Sequence, residues 1–171
     1  MQFLLFALVA VFCVGTILPE LLRKSENPKL AMISNYFNGT YHLYQVAGFS
    51  ALIAAFILLA IFKLSGFGSL MAFIVAGCLT VVMTSDTWAK LYGKDHQKFH
   101  LTAAKIIFFL SLIFEFWVAI TRYNIPLLVL AIAYPVITGA YALLQPSQKS
   151  WQEKLAVTCI TAYWLTFIYI I

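Results

Sequence analysis

Residues 101–120 read LTAAKIIFFLSLIFEFWVAI, and HQKFH at 96–100 leads into them. Only Lys105 and Glu115 interrupt an otherwise apolar or small-residue run. Its length suits a helix that rises about 1.5 Å per residue across the roughly 30 Å hydrocarbon core. The apolar residues form a continuous block, so the helix meets apolar surroundings on all sides. The same pattern recurs at Phe3–Leu18, Tyr44–Phe62, Gly66–Met83, Ile125–Leu144 and Leu155–Ile171. The last starts a turn earlier, because Ser150 with Glu153 three residues on makes a capping box. The expected fold is all-α: one integral membrane domain over residues 1–171, a bundle of six transmembrane helices.

Composition supports this reading. The 171 residues are 63% hydrophobic and 10% charged, more apolar surface than a soluble domain of that size can hide. The net charge of +5 does not indicate nucleic acid, since the basic residues are scattered between apolar runs. They read as topology signals and contacts to membrane lipids. Arg23, Lys24, Lys29, Lys90, Lys94, Lys98, Lys149 and Lys154 fall in the loops after spans one, three and five, against only Lys63 and Arg122 in the other two. By the positive-inside rule those three loops are cytoplasmic and both termini lie outside. Positive charge follows the first segment rather than preceding it, so that segment is a retained span, not a cleaved signal. Cys13, Cys78 and Cys159 form no CxxC pair and read as reduced, structural residues.

The loop Pro19–Leu43 is the longest. Asn27-Pro28 opens a short interfacial helix there, running through about Tyr36 and ending at Asn38-Gly39. The tight loops Lys63–Ser65 and Thr121–Asn124 make spans two and three, and four and five, antiparallel neighbours. Pro135 is expected to kink span five near Thr138 and Gly139. Gly48, Ser50, Gly77 and Gly139 read as helix-packing positions, and Trp88, Tyr92, Trp151, Tyr36, Tyr41 and Tyr44 as an interfacial aromatic belt.

Polar chemistry concentrates on one side. His96 and His100 are one helical turn apart, a spacing that can chelate a metal such as zinc, with His42 or Asp86 as a third ligand. The same pair also fits a plain interfacial pair on a solvated face. Asp86 ends span three, and the loop Thr87–Phe99 brings it back onto the start of span four. Inside the bilayer, Lys105 can snorkel to the interface, whereas Glu115, about two turns deeper, either keeps its proton or pairs within the bundle.

Ile33-Ser34-Asn35-Tyr36-Phe37-Asn38-Gly39, followed by Gly48-Phe49, resembles the small six-span bacterial membrane proteins catalogued as Domain of Unknown Function 998. Thr84-Ser85-Asp86 is similar to that family's threonine–aspartate, and His100-Leu101-Thr102-Ala103-Ala104 to its histidine followed by small residues. The resemblance covers residues 1–170 in topology and implies a bacterial inner-membrane location and a Ser34, Asp86 and His100 core. Here Met83-Thr84-Ser85 precedes the aspartate where the family has a Pro-Thr pair, and His42 and His96 match no family position. The residue set is also similar to that of membrane zinc hydrolases related to alkaline ceramidases, which have a seventh span with a histidine pair absent here.

Three readings follow. One is a metal-dependent hydrolase acting on a lipid or lipid-like amide or ester, with Asp86, His100 and Ser34 catalytic, Tyr36 binding substrate, and His96, His100 and His42 on zinc. A second is a non-catalytic binding or transport protein using Glu115 and Lys105, large enough for transport only as a homo-oligomer. The third is an electron carrier with haem between His42 and His100.

Overall fold

The computed structural model describes residues 1–22, 42–92, 96–145, 147 and 149–170, with helical side chains described except at 20–22, 85–92, 96–101 and 149–150. Among these residues the chain forms six helices: α1 Gln2–Leu22, α2 His42–Phe62, α3 Gly66–Tyr92, α4 His96–Thr121, α5 Ile125–Leu144 and α6 Lys149–Ile170. Five of them, α1 to α5, are long and apolar enough to cross a membrane, which marks the chain as an integral membrane protein. In α6 the charges of Lys149, Glu153 and Lys154 interrupt the apolar run near its start.

The boundaries correct the sequence reading in two places. Helix α1 does not stop at Leu18 but runs through Pro19 to Leu22. Helix α3 runs past Asp86 to Tyr92 and α4 begins at His96, so most of the expected loop Thr87–Phe99 is helical. A helix that leaves the hydrocarbon layer can continue in water, and apolar length sets only a lower limit on it. The proposed interfacial helix, with Tyr36 and Tyr41, lies outside the described residues. Helix α6 does begin a turn before Leu155, at Lys149.

Local chemistry fixes the ends of α5. The Asn124 side chain accepts a hydrogen bond from the Leu127 amide at 3.0 Å, with Pro126 in the first turn. Helix α5 passes through Pro135, where the Thr138 hydroxyl donates to the Tyr134 carbonyl at 2.7 Å. At the same end of the bundle, Arg122 donates to the Lys63 carbonyl at 3.2 Å, tying the two tight turns together. Gln2 Nε2 donates to the Ile168 carbonyl at 2.7 Å and the Tyr169 carbonyl at 3.1 Å, so the start of α1 meets the end of α6.

Consecutive helices pack as antiparallel neighbours, and α6 closes against α1, α4 and α5. The tightest crossing joins α1 to α2. A Cβ on Gly15 would lie 2.5 Å from the Tyr44 carbonyl oxygen and 2.9 Å from Gly48 Cα. Without hydrocarbon–water transfer to drive helices together in lipid, such backbone approach supplies much of the association. Gly48 therefore packs as expected, and Gly15 is its unexpected partner. Gly77 and Gly139 have open space beside them, so neither is a close-packing position. Phe12 meets Phe49 edge-on at 5.5 Å just below the glycine contact.

Substituting Gly15→Ala should cost about 1–3 kcal/mol of overpacking, measured by SDS titration in mixed micelles. Gly77→Ala should cost nothing in the same assay, because its Cβ meets no atom.

Candidate functional site

A cavity of about 70 Å³ lies inside the bundle, walled by α1, α2, α3, α4 and α6. That volume is several times the roughly 10–15 Å³ that admits one water, and a cavity with apolar walls tends to stay dry. Its floor is Phe56 and Trp164, whose rings meet edge-on at 4.9 Å, with the tilted ring of Phe114 5.0 Å from Trp164 behind them. From there it runs toward the end of the bundle where α3 finishes and α4 and α6 begin. Val82, Ala104 and Glu153 form its upper wall.

The three central walls share one pattern. Helix α2 contributes Phe49, Leu52 and Phe56; α3 contributes Val75, Leu79 and Val82; α4 contributes Ala104, Ile107 and Ser111. In each, members are spaced three and four apart, so each set is one face of its helix. Carried one turn further toward the upper end, these faces reach positions 45, 86 and 100: Gln45, Asp86 and His100. Helix α1 adds Val9 and Phe12, and one turn beyond Phe12 stands Thr16, whose hydroxyl donates to the Phe12 carbonyl at 3.0 Å. An apolar slot thus runs into a level of polar positions.

The expected site residues are distributed as follows. His42 is the first residue of α2 and is exposed. His96 opens α4 and His100 lies one turn along it, so both stand, with Asp86 near the end of α3, at the same end of the bundle as His42. The side chains of Asp86, His96 and His100 lie outside those described, as do Ser34 and Tyr36 altogether. Among the described residues no three His, Cys, Asp or Glu side chains gather as a metal site. Cys13, Cys78 and Cys159 are free thiols.

Lys105 and Glu115 do not act as a pair. They are about 15 Å apart along α4, given 1.5 Å per residue. Lys105 is exposed, and Glu115 is fully buried. Neither lines the cavity. Glu115 lies behind its floor, where α4, α5 and α6 meet, within electrostatic reach of Tyr134, Cys159 and Tyr163. Both carboxyl oxygens lack a hydrogen-bond partner among the described residues, so of the two alternatives, a retained proton or a partner within the bundle, the partner is not found there. The Tyr163 hydroxyl instead donates to the Glu115 backbone carbonyl at 2.7 Å.

Sequence reasoning passed over Gln45 and Trp164. Gln45 is fully buried and Trp164 is 2% exposed; both amide atoms of Gln45 and the Trp164 indole nitrogen lack partners among the described residues. The available signal was the face 45, 49, 52 and 56, which puts a carboxamide in line with three apolar residues. Comparison with protein-family models, curated proteins and solved structures finds no match for the chain.

Tyr163→Phe removes one buried neutral hydrogen bond without changing shape. It should lower stability by about 0.5–1.5 kcal/mol, read from the same SDS titration.

Proposed function

We propose that the protein takes up a lipid-like amphiphile from within the bilayer, its apolar chain in the cavity and its polar head at the level of Asp86 and His100. The observation that carries this reading is the shared register of the three cavity walls, each of which runs from apolar side chains into a polar position one turn further along. A short apolar segment of a chain fits a dry slot of about 70 Å³, and a head group fits the polar level where that slot ends.

Six crossings support this arrangement. The contact of Gln2 with Ile168 and Tyr169 brings the first helix start and the last helix end together, as an even number of spans requires. Beyond its charged first turns α6 has Leu155–Ile170, about 24 Å of helix at 1.5 Å per residue, with Tyr163, Phe167 and Ile168 fully buried. With the basic loops cytoplasmic, the head group sits in the inner leaflet of a bacterial cytoplasmic membrane. The family resemblance carried by Ser34, Asp86 and His100 agrees with a site at that end.

Hydrolysis of the head-group linkage is the chemistry those residue types suit. A histidine at this level can take a proton from an attacking water, and Asp86 can orient the histidine. Zinc held by His96, His100 and His42 would supply the same water activation.

The test is the amphiphile content of the purified protein. Lipid extraction and mass spectrometry should find an amphiphile near one per chain. Ala104→Phe, which fills the upper cavity, should lower that content about tenfold. His100→Ala should retain the amphiphile and lose any hydrolysis of it. An unaltered protein without a stoichiometric amphiphile, or Ala104→Phe with unchanged content, overturns the reading.

A further inference from the structure

Glu153 is the one charged side chain among the described residues that line the cavity. The other polar residues in its walls are Ser111 and Thr161, and the Thr161 hydroxyl donates to the Val157 carbonyl of its own helix at 2.7 Å. Helix α6 meets the cavity with Glu153, Val157, Ile160 and Trp164, members again three and four apart. It is therefore a fourth helix face that runs from apolar residues to a polar one. Glu153 and Trp164 lie about 16 Å apart along it, given 1.5 Å per residue. The carboxylate thus marks the mouth of the cavity, and the indole its floor.

Glu153 lies beyond the first turn of α6, so the favourable charge of a helix start does not account for it. It is half-buried in a wall that is otherwise mostly apolar. A carboxylate partly withdrawn from water favours a cation beside it and disfavours a second anion. Lys154, the next residue, is not part of the wall; its Nζ lies 5.2 Å from the centre of the Trp151 ring. Below the mouth the cavity is aromatic. Phe12 and Phe49, edge-on at 5.5 Å, and Phe108 all line it. Ring faces attract an ammonium group and give nothing comparable to a carboxylate or a hydroxyl.

We propose that the head of the bound amphiphile is cationic, an ammonium group set against the Glu153 carboxylate with its chain directed toward Trp164. This rests on the cavity being the site of the apolar chain. The protein as a whole carries a net charge of +5, so its overall field would favour an anionic amphiphile. A preference for the cation therefore points to the local carboxylate and rings.

Three probes with one chain and different heads test this: ω-bromododecyl-trimethylammonium, ω-bromododecanol and ω-bromododecanoate. Each is titrated against the full chain in micelles of a neutral detergent, and the bromine at the chain end quenches tryptophan on contact. The quench belonging to the cavity is the part lost in Trp164→Phe. If that variant does not fold, it is the quench that remains after Trp88, Trp117 and Trp151 are replaced by phenylalanine. The ammonium probe should quench at about fivefold lower concentration than the alcohol, as one half-buried ion pair with a cation–π contact would give. The carboxylate probe should be the weakest. In Glu153→Gln the ammonium and the alcohol should quench alike. The comparison of heads is made on the unaltered protein and so stands even if Glu153→Gln does not fold. Equal or stronger quenching by the alcohol or the carboxylate in the unaltered protein overturns the cationic head and leaves the cavity reading intact. A preference for the ammonium that survives in a folded Glu153→Gln overturns the role of Glu153. If no probe quenches Trp164, the cavity reading itself fails, and the assignment with it.

Discussion

The bundle closes on Trp164. Helices α1 to α5 could follow one another as a ribbon, each packed on its chain neighbour, with nothing to bring the last helix back to the first. Trp164 projects from α6 into the middle of the structure. Its ring meets Phe56 of α2 at 4.9 Å and Phe114 of α4 at 5.0 Å, and Tyr163 and Phe167 of its own helix flank it at 5.4 and 5.5 Å. Aromatic pairs in these edge-on and tilted geometries contribute about 0.5–1.5 kcal/mol each beyond simple burial. In lipid, where no hydrophobic transfer draws helices together, such contacts weigh more in the total.

That closure also makes the cavity. The indole lies at its floor, and above it α1, α2, α3, α4 and α6 leave a gap between them. Packing below the floor is dense: Phe114, Tyr163, Phe167 and Ile168 are all fully buried. Polar groups divide the same way. Glu115 lies below and behind the floor, out of reach of whatever enters the slot. Thr16 and Gln45 are buried one turn beyond Phe12 and Phe49, which line its upper part. The opposite end is sealed by tight turns, with Arg122 holding Lys63 and Gln2 holding the end of α6. The two ends of the bundle are therefore unlike.

The apolar blocks were legible because a lipid-exposed helix must satisfy every backbone hydrogen bond within itself. Block length and continuity therefore betray the helix, and the apolar stretches of five helices, Gln2–Pro19, His42–Phe62, Gly66–Thr84, Thr102–Thr121 and Ile125–Leu144, lie within a residue or two of the expected spans, although three of the helices run further. Where the reading went astray, the ruling physics was not hydropathy. Pro19 inside α1 and the continuation of α3 through Thr87 to Tyr92 depend on helix propagation beyond the apolar layer. Gly48 was recognisable as a packing residue, but Gly77 and Gly139 look the same in sequence and pack on nothing. Only the crossing of α1 on α2 at Gly15 distinguishes them.

The sequence by itself determined the helices, their antiparallel order and the gathering of His42, Asp86, His96 and His100 at one end, because apolar runs and short loops dictate those. It could pick out Glu115 as an ionisable residue in lipid. It could not say that Glu115 lies off the cavity and about 15 Å along the helix from Lys105, or that Gln45 is buried rather than interfacial. Those facts depend on how far each helix is rotated about its axis. In a helix apolar on every side, no amphipathic stripe records that rotation; contacts such as Gly15 on Gly48 and Trp164 on Phe56 decide it.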